Sequence, residues 1–407
     1  MTTDAQPNPR HTSFAATPRA QRSPAPDVAR GLVLLGIALA NVPFFLYGRE
    51  LGILFKPVTD AAADPWVNAF VATFADNRSY PLFALLYGYG MTQILLRETA
   101  RGVDWVDARR LLVRRNLWLI VFGAFHGVLL FFGDILGTYG LLGLGLVLLI
   151  RASGRVLALV GGIAFVLLVL TGIAEGLSGV LASVPGGGIS LAFFGSPAAE
   201  TYLAAVLARL GEWSIALVSV PFGGLGLLAP MILGLWAARC RVLDEPAAHR
   251  RSLGLVAAIG LPVSILGALP LALALLDVIE LHPLAEPLAA MLHAGTGAVG
   301  GAAYAALAAL LVGGVAVRTR PPGVVARLLS ALGQRSLTGY LAQSLVFVVV
   351  FAPYGFGLGA TASVAVATQV AVLTWLATLV IANVLQAVDK PGPAEALLRR
   401  AVYGRRR

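Results

Sequence analysis

The sequence predicts an all-α polytopic membrane protein, a bundle of about ten transmembrane helices with both termini on the cytoplasmic side. Three observations carry this expectation. Charged residues make up only 12% of the 407 residues and hydrophobic ones 58%, about half the charge content of an ordinary soluble domain. Apolar runs close to the roughly 20 residues needed to cross a hydrocarbon core recur along the chain, separated by short polar stretches. Basic residues collect in alternate stretches: the exterior segments hold only Arg49, Lys56, Arg78 and Arg209 of the 30 Lys and Arg, but more than half of the 20 acids. That asymmetry orients a multi-pass protein in the cytoplasmic membrane and accounts for the net charge of +10 without a nucleic-acid partner. The single cysteine, Cys240, excludes an internal disulfide and any cysteine-based metal site.

Residues 1–27, rich in Pro, Ala, Thr, Ser and Arg, read as a disordered cytoplasmic tail. The first span covers 29–48. Its Ala38-Leu39-Ala40 imitates a signal-peptidase site, but the leader is long and the segment stays apolar beyond Ala40. The exterior segment from Arg49 to Arg78 includes an interfacial helix at Trp66 to Phe74. Pro81 suits the first turn of the second span, 79–97. Arg109, Arg110, Arg114 and Arg115 anchor the third, 111–132; Gly133-Asp134 turns into the fourth, 135–150, and the fifth covers 155–174. A long exterior segment, 175–212, contains Pro185-Gly186-Gly187-Gly188 and a surface helix at 198–210. Spans at 214–238, 252–276, 290–317, 337–354 and 362–386 complete a transmembrane domain of 28–388, and 389–407 is a basic tail suited to anionic headgroups. Pro43, Pro221, Pro230, Pro262 and Pro270 predict kinks within spans. Gly123 with Gly127, Gly133 with Gly137, and Gly297 with Gly301 predict close helix contacts.

Polar groups at membrane depth are costly and each requires a partner or a role. His126 is the only histidine clearly inside a span; Asn41 and Asp134 lie near the outer ends of the first and third. Arg30 to Asn41 and Arg115 to His126 are both eleven residues, a rise of about 16 Å that returns to within roughly 20° of the same helix face. If the two faces meet, they form a pocket with arginines at its mouth and a base plus an amide at its inner end. The simpler alternative is arginines at cytoplasmic helix ends and a histidine and an asparagine bonding across helices. Asp134, eight residues past His126, is about 80° round and about 12 Å further along a straight helix, out of hydrogen-bonding reach. It either caps the fourth span, or it and Arg78, both near the exterior surface, pair with each other or handle an acceptor. Tyr340 and Ser344 share one helix face and Gln343 neighbours it, a pattern expected of an interhelical hydrogen-bond cluster more than of catalysis. No phosphate loop, nucleophile elbow or zinc-protease motif is present.

Four stretches carry a resemblance: Asp27-Val28-Ala29-Arg30-Gly31 with Asn41; Phe83-Ala84-Leu85-Leu86-Tyr87-Gly88-Tyr89-Gly90; His126 with Gly133-Asp134-Ile135-Leu136 and Tyr139; and Gly333-Gln334-Arg335-Ser336-Leu337-Thr338-Gly339-Tyr340-Leu341-Ala342-Gln343-Ser344. In these the chain resembles the YeiB-like family of bacterial polytopic membrane proteins, described by a domain of unknown function. It departs from the family's pattern at Tyr87 and Gly339. The family is distantly similar to transmembrane acyltransferases, some of which place a catalytic histidine where this chain has Asn41. The resemblance therefore implies an acyltransferase that moves an acyl group from cytoplasmic acyl-CoA, as co-substrate, to a hydroxyl or amine of an envelope glycan or lipid. Arg30 with Arg114 or Arg115 would bind the donor, His126 would be the general base, Asn41 would position the thioester, and Asp134 and Arg78 would serve the acceptor. No tightly bound cofactor or metal is expected, and the remaining partners are membrane lipids. The alternatives are a transporter or flippase in which His126 and Asp134 relay protons, and a non-catalytic scaffold.

Overall fold

The computed structural model describes residues 24–182, 189–190, 195–220, 223–313 and 323–404. Residues 1–23 of the expected tail, the 185–188 turn, Pro221 and Arg405 to Arg407 lie outside the described residues. Among the described residues fourteen α-helices form the bundle: α1 (Ala25–Asn41), α2 (Asp64–Phe74), α3 (Ser79–Ala100), α4 (Trp105–Leu129), α5 (Leu136–Leu149), α6 (Gly154–Ala182), α7 (Tyr202–Ser219), α8 (Leu228–Arg239), α9 (Arg250–Leu275), α10 (Ala285–Gly313), α11 (Val324–Gly333), α12 (Ser336–Phe351), α13 (Val364–Ala387) and α14 (Pro393–Tyr403). Two-residue strands, β1 (Glu50–Leu51) and β2 (Ile189–Ser190), pair antiparallel beside them. The fold is thus an all-α polytopic bundle. Among the described residues seven helical segments are long and apolar enough to cross a membrane, those of α1, α4, α6, α7, α9, α10 and α13. The other expected spans fall on α3, which is as long but more polar, and on the shorter helices α5, α8 and α12.

Helix α1 is central, touching α3, α10, α11, α12 and α13. It begins at Ala25, inside the segment assigned to the tail, with Pro26 in its first turn, and ends at Asn41, where Pro43 follows in a 3-10 turn. Pro43 therefore lies beyond the helix, as a residue without a backbone N–H should. Pro262 and Pro270 do fall inside α9. The expected interfacial helix is α2, with Trp66 and Phe70 exposed. It is also tied down, because the buried Asp64 carboxylate accepts from the backbone N–H groups of Val364 and Ala365 at the start of α13.

Three segments differ from expectation. The surface helix at 198–210 and the start of the 214–238 span are one helix, α7, whose first turn is capped by the Thr201 hydroxyl. The break comes later, at a 3-10 turn from Gly224 to Leu227 before α8. A uniformly apolar run gives hydropathy no means of locating this break; it is set by close approach, since a Cβ on Gly226 would stand 2.5 Å from Leu168 Cα. Helix α11, between two expected spans, packs on α1 through glycines on both helices: a Cβ on Gly31 would lie 2.3 Å from the Leu329 carbonyl oxygen, and one on Gly333 1.8 Å from that of Asp27. Helix α14 occupies part of the expected basic tail and docks on α12. Its Glu395 accepts from the backbone N–H groups of Leu337 and Thr338 at 2.8 and 3.1 Å and from the Thr338 hydroxyl at 2.5 Å. A carboxylate at a helix N-terminus meets otherwise unpaired N–H groups and the positive end of the dipole.

The α1–α11 contact yields a direct test. Gly333→Ala forces a methyl onto the Asp27 backbone and is expected to destabilise the fold by about 1–3 kcal/mol. A lowered thermal midpoint of the purified protein in detergent checks this; an unchanged midpoint contradicts the close contact.

Candidate functional site

Helix α4 carries the centre of the site. It starts at Asp104, whose side chain accepts from Asp107 N, and runs unbroken to Leu129. There the backbone reverses, with the N–H groups of Leu130 and Phe131 both donating to the His126 carbonyl. Asp134 is therefore folded back toward His126, and its carboxylate Oδ1 lies 2.8 Å from His126 Nδ1. Oδ2 accepts from Gly137 N at 2.7 Å in the first turn of α5. The capping role expected of Asp134 and a bond to His126 thus coexist, one on each oxygen. The expectation that Asp134 is out of reach fails because the straight-helix geometry behind it ceases to apply at Leu129.

On its other side His126 Nε2 lies 2.8 Å from the Ser344 hydroxyl on α12. With Asp134 accepting, Nδ1 carries the ring hydrogen and Nε2 is the acceptor facing Ser344. The side chains of His126 and Asp134 have no accessible surface, and Ser344 is buried. Tyr340, one turn before Ser344, packs its ring 4.7 Å from the imidazole, centroid to centroid. Its hydroxyl accepts from Ile135 N at 3.4 Å. Gln343 points away, donating to the Leu34 carbonyl. The backbones beneath this group are in contact: a Cβ on Gly123 would stand 2.2 Å from Gly137 N and 2.5 Å from Asp134 Oδ2. Glycine at 123 thus permits α4 and α5 to approach closely enough for the carboxylate to reach the imidazole.

Beside this group opens a cavity of about 310 Å³, lined among others by Arg30, Arg97, Arg115, Tyr87, Tyr139 and Tyr340. Arg30 bonds Asp27 at 3.1 Å and donates to the Leu86 carbonyl at 3.2 Å. Arg115 lies over the Tyr87 ring, 5.4 Å from its centroid, and its Nη1 is buried with no hydrogen-bond partner among the described residues. The acids at the cavity have other commitments: Asp27 to Arg30, Asp244 to Gln93, and Glu395 to the start of α12. Arg30 is thus already paired with Asp27, and Arg115, whose Nη1 has no hydrogen-bond partner among the described residues, is the group at this wall best placed to meet an anion. Tyr340 lines the cavity and also packs on His126, so its ring stands between this space and the buried histidine.

Arg30 and Arg115, matched in the sequence by their eleven-residue spacing, do share this cavity. Arg114 is exposed on another face of α4 and is not among its lining residues. Asn41 is not among them either; its side-chain oxygen accepts from the Tyr80 hydroxyl. Equal spacing sets the azimuth on each helix but not how the two helices pack, so the basic ends converge while Asn41 takes a partner on α3. The expected pairing of Arg78 with Asp134 does not form. Arg78 is fully buried and donates to Ser264 Oγ at 3.0 Å and to the carbonyls of Ser264, Ala72 and Asp76 at 2.6, 3.0 and 2.7 Å. Its Nη1 lies 2.6 Å from His293 Nε2. This arginine ties the α2–α3 turn to α9 and α10, and its described partners do not include Asp134.

Two participants escape sequence reasoning. His293, seemingly at a span edge, is completely buried. Arg209, counted only as an exterior charge, is buried and donates to the Leu130 carbonyl at 2.6 Å and to the Tyr354 hydroxyl at 3.0 Å. It thereby grips the turn that returns Asp134 to His126. The available signal was an arginine within an otherwise amphipathic helix, which is also the pattern of a solvated face.

A family model described as "Protein of unknown function (DUF418)" matches residues 237–405, which include Tyr340 and Ser344 but not His126 or Asp134. The chain is 27% identical over 398 residues to "Uncharacterized protein YxaH" of Bacillus subtilis (strain 168), covering 93% of each. It is 35% identical over 127 residues to "Uncharacterized protein YeiB" of Escherichia coli (strain K12), 30% of each chain. A third relative, "Uncharacterized 39.9 kDa protein in amylase 3'region" of Bacillus acidopullulyticus, is 34% identical over 101 residues, 25% of this chain and 26% of that one. The all-α polytopic bundle is thus similar to a family of unknown function over its last third to half, and along nearly its whole length to an uncharacterised bacterial protein.

Proposed function

We propose that the protein is an acyltransferase of the cytoplasmic membrane, taking an acyl group from acyl-CoA and passing it to a hydroxyl or amine of an envelope glycan or lipid. The observation that carries this reading is the single tyrosine between cavity and histidine: Arg30, Arg97 and Arg115 line the same space as Tyr340, and the Tyr340 ring lies on His126. A donor with an anionic head and a long neutral arm suits that shape. Arg115 and His126 are eleven residues apart on one continuous helix, so the arm must descend about 16 Å. The arginines hold the head, and His126, fixed by Asp134, manages the proton at the reacting carbonyl. The start of α1, the end of α3, the middle of α4 and the α11–α12 junction all border this mouth. Their basic residues favour placing it, with both termini, on the cytoplasmic side, where acyl-CoA is supplied.

The test combines binding and turnover on purified protein in detergent. Acetyl-CoA and palmitoyl-CoA are offered separately; at least one is expected to raise the thermal midpoint of the wild type and to release free coenzyme A. Arg115→Ala is expected to lose most of the stabilisation, and His126→Ala to keep it while releasing no thiol. Full activity of His126→Ala, or solute flux in proteoliposomes without any response to acyl-CoA, overturns the proposal, the latter in favour of transport.

A further inference from the structure

We infer that Ser344 is a nucleophile that carries the acyl group covalently, a role resting on the acyl-transfer reading above. Both ring nitrogens of His126 are engaged, Nδ1 by Asp134 and Nε2 by Ser344, each at 2.8 Å. The hydrogen that Nε2 is placed to accept is therefore the one on the Ser344 hydroxyl. A base whose acceptor nitrogen meets a side-chain hydroxyl, with the opposite nitrogen oriented by a carboxylate, is the arrangement that activates a serine. An external acceptor reacting directly would first have to displace Ser344 from the imidazole, inside a site where neither His126 nor Asp134 is accessible.

The orientation of the hydroxyl is itself informative. Several buried or half-buried hydroxyls on other helices of this bundle satisfy themselves on the carbonyl one turn back: Ser79 on Ala75, Thr92 on Gly88, Thr374 on Val370. Ser344 turns to His126 on another helix. A relay also fits the two ends of the site. On one side the Tyr340 ring stands between the arginine-lined cavity and the histidine. The far side is closed by the rings of Phe44, Phe45, Phe131, Phe132 and Phe347, with Phe131 6.4 Å from the imidazole. An acyl-serine holds the acyl group while the donor leaves, so donor and acceptor need never contact His126 together.

In the first half-reaction the Ser344 hydroxyl proton passes to His126 Nε2 as Oγ bonds to the thioester carbonyl carbon. The carbon–sulfur bond then breaks, and the departing sulfur takes the proton from Nε2, leaving an ester on Ser344 and a free thiol. In the second, an acceptor hydroxyl or amine gives its proton to Nε2 and attacks the ester carbonyl. The bond to Oγ breaks, and Oγ recovers the proton. One thioester is consumed and one ester or amide is formed, with no change in oxidation state.

The full-length protein in detergent is treated with a fluorophosphonate probe and, separately, with radiolabelled acetyl-CoA and palmitoyl-CoA, and the labelled residue is mapped by mass spectrometry. The expected result is fluorophosphonate attached to Ser344, labelling lowered on the order of 10³-fold in His126→Ala, and none at that position in Ser344→Ala. Ser344→Ala removes one oxygen; its thermal midpoint, measured alongside, is expected to stay near that of the wild type. The inference is overturned if fluorophosphonate leaves Ser344 unmodified in the wild type, or if Ser344→Ala still releases coenzyme A at the wild-type rate, a result that spares acyl transfer itself. Labelling of Ser344 by fluorophosphonate without thiol release from either acyl-CoA supports the nucleophile and removes the acyl-CoA reading instead.

Discussion

Asp134→Asn is expected to lower the proposed acyl transfer by on the order of 10³ to 10⁴-fold while leaving the fold intact. Asp134 does two things at once, receiving the His126 Nδ1 hydrogen on Oδ1 and the Gly137 N–H on Oδ2. The amide can keep only one acceptor oxygen. If that oxygen stays on Gly137 N, the NH₂ group faces Nδ1 and requires it to be an acceptor, which moves the ring hydrogen to Nε2. Nε2 can then no longer take a proton from Ser344. If the amide turns the other way, the first turn of α5 loses its cap, which costs roughly 0.5–2 kcal/mol. Steady-state thiol release from acyl-CoA distinguishes these effects from simple misfolding when read beside the thermal midpoint. A variant that retains most of its activity would mean that the carboxylate only holds α5.

Arg78→Met is expected to be the most damaging substitution to stability outside the site, by about 3–5 kcal/mol. The guanidinium serves the carbonyls of Ala72, Asp76 and Ser264 and the hydroxyl of Ser264 in a fully buried position. Ala72 lies in the last turn of α2, so Arg78 satisfies a carbonyl with no helical partner and places a cation at the negative end of that helix. Methionine fills similar space but removes these donors where no water replaces the lost bonds; the Ala72 carbonyl keeps His293 Nε2 at 2.8 Å, and the Asp76 and Ser264 carbonyls lose the guanidinium bonds. The expected observation is a steep fall in thermal midpoint and in the yield of monodisperse protein, with acyl-CoA turnover per folded molecule little changed, because Arg78 does not touch the His126 site. Wild-type stability in this variant would contradict a structural role.

Much of this architecture is legible from local chemistry. Uninterrupted apolar runs bury their own backbone hydrogen bonds and must be helices in a membrane, so the existence of nearly every long helix follows from the residues themselves. Periodicity likewise puts Tyr340 and Ser344 on one face of α12 and aligns Arg115 with His126 along α4. Both statements concern a single helix, within which 3.6 residues per turn fixes direction.

What lies between helices does not follow in this way. The sequence places a histidine, an acid and a serine at membrane depth, each needing a partner, but it cannot assign the partners. The bond from Asp134 to His126 exists because α4 stops at Leu129 and the chain doubles back, a reversal braced by Arg209 on a helix some eighty residues later. Asn41 bonds Tyr80, and Arg78 bonds Ser264 and its neighbours, because helix packing brought those groups closer than the ones their spacing favoured. Hydropathy cannot see the break between α7 and α8 or the docking of α14, since both are decided by backbone contact and single polar bonds. His126 could be recognised from the sequence as a buried base; only the tertiary structure supplies its serine and its aspartate, because hydrogen bonds of under 3 Å depend on where helices end and meet.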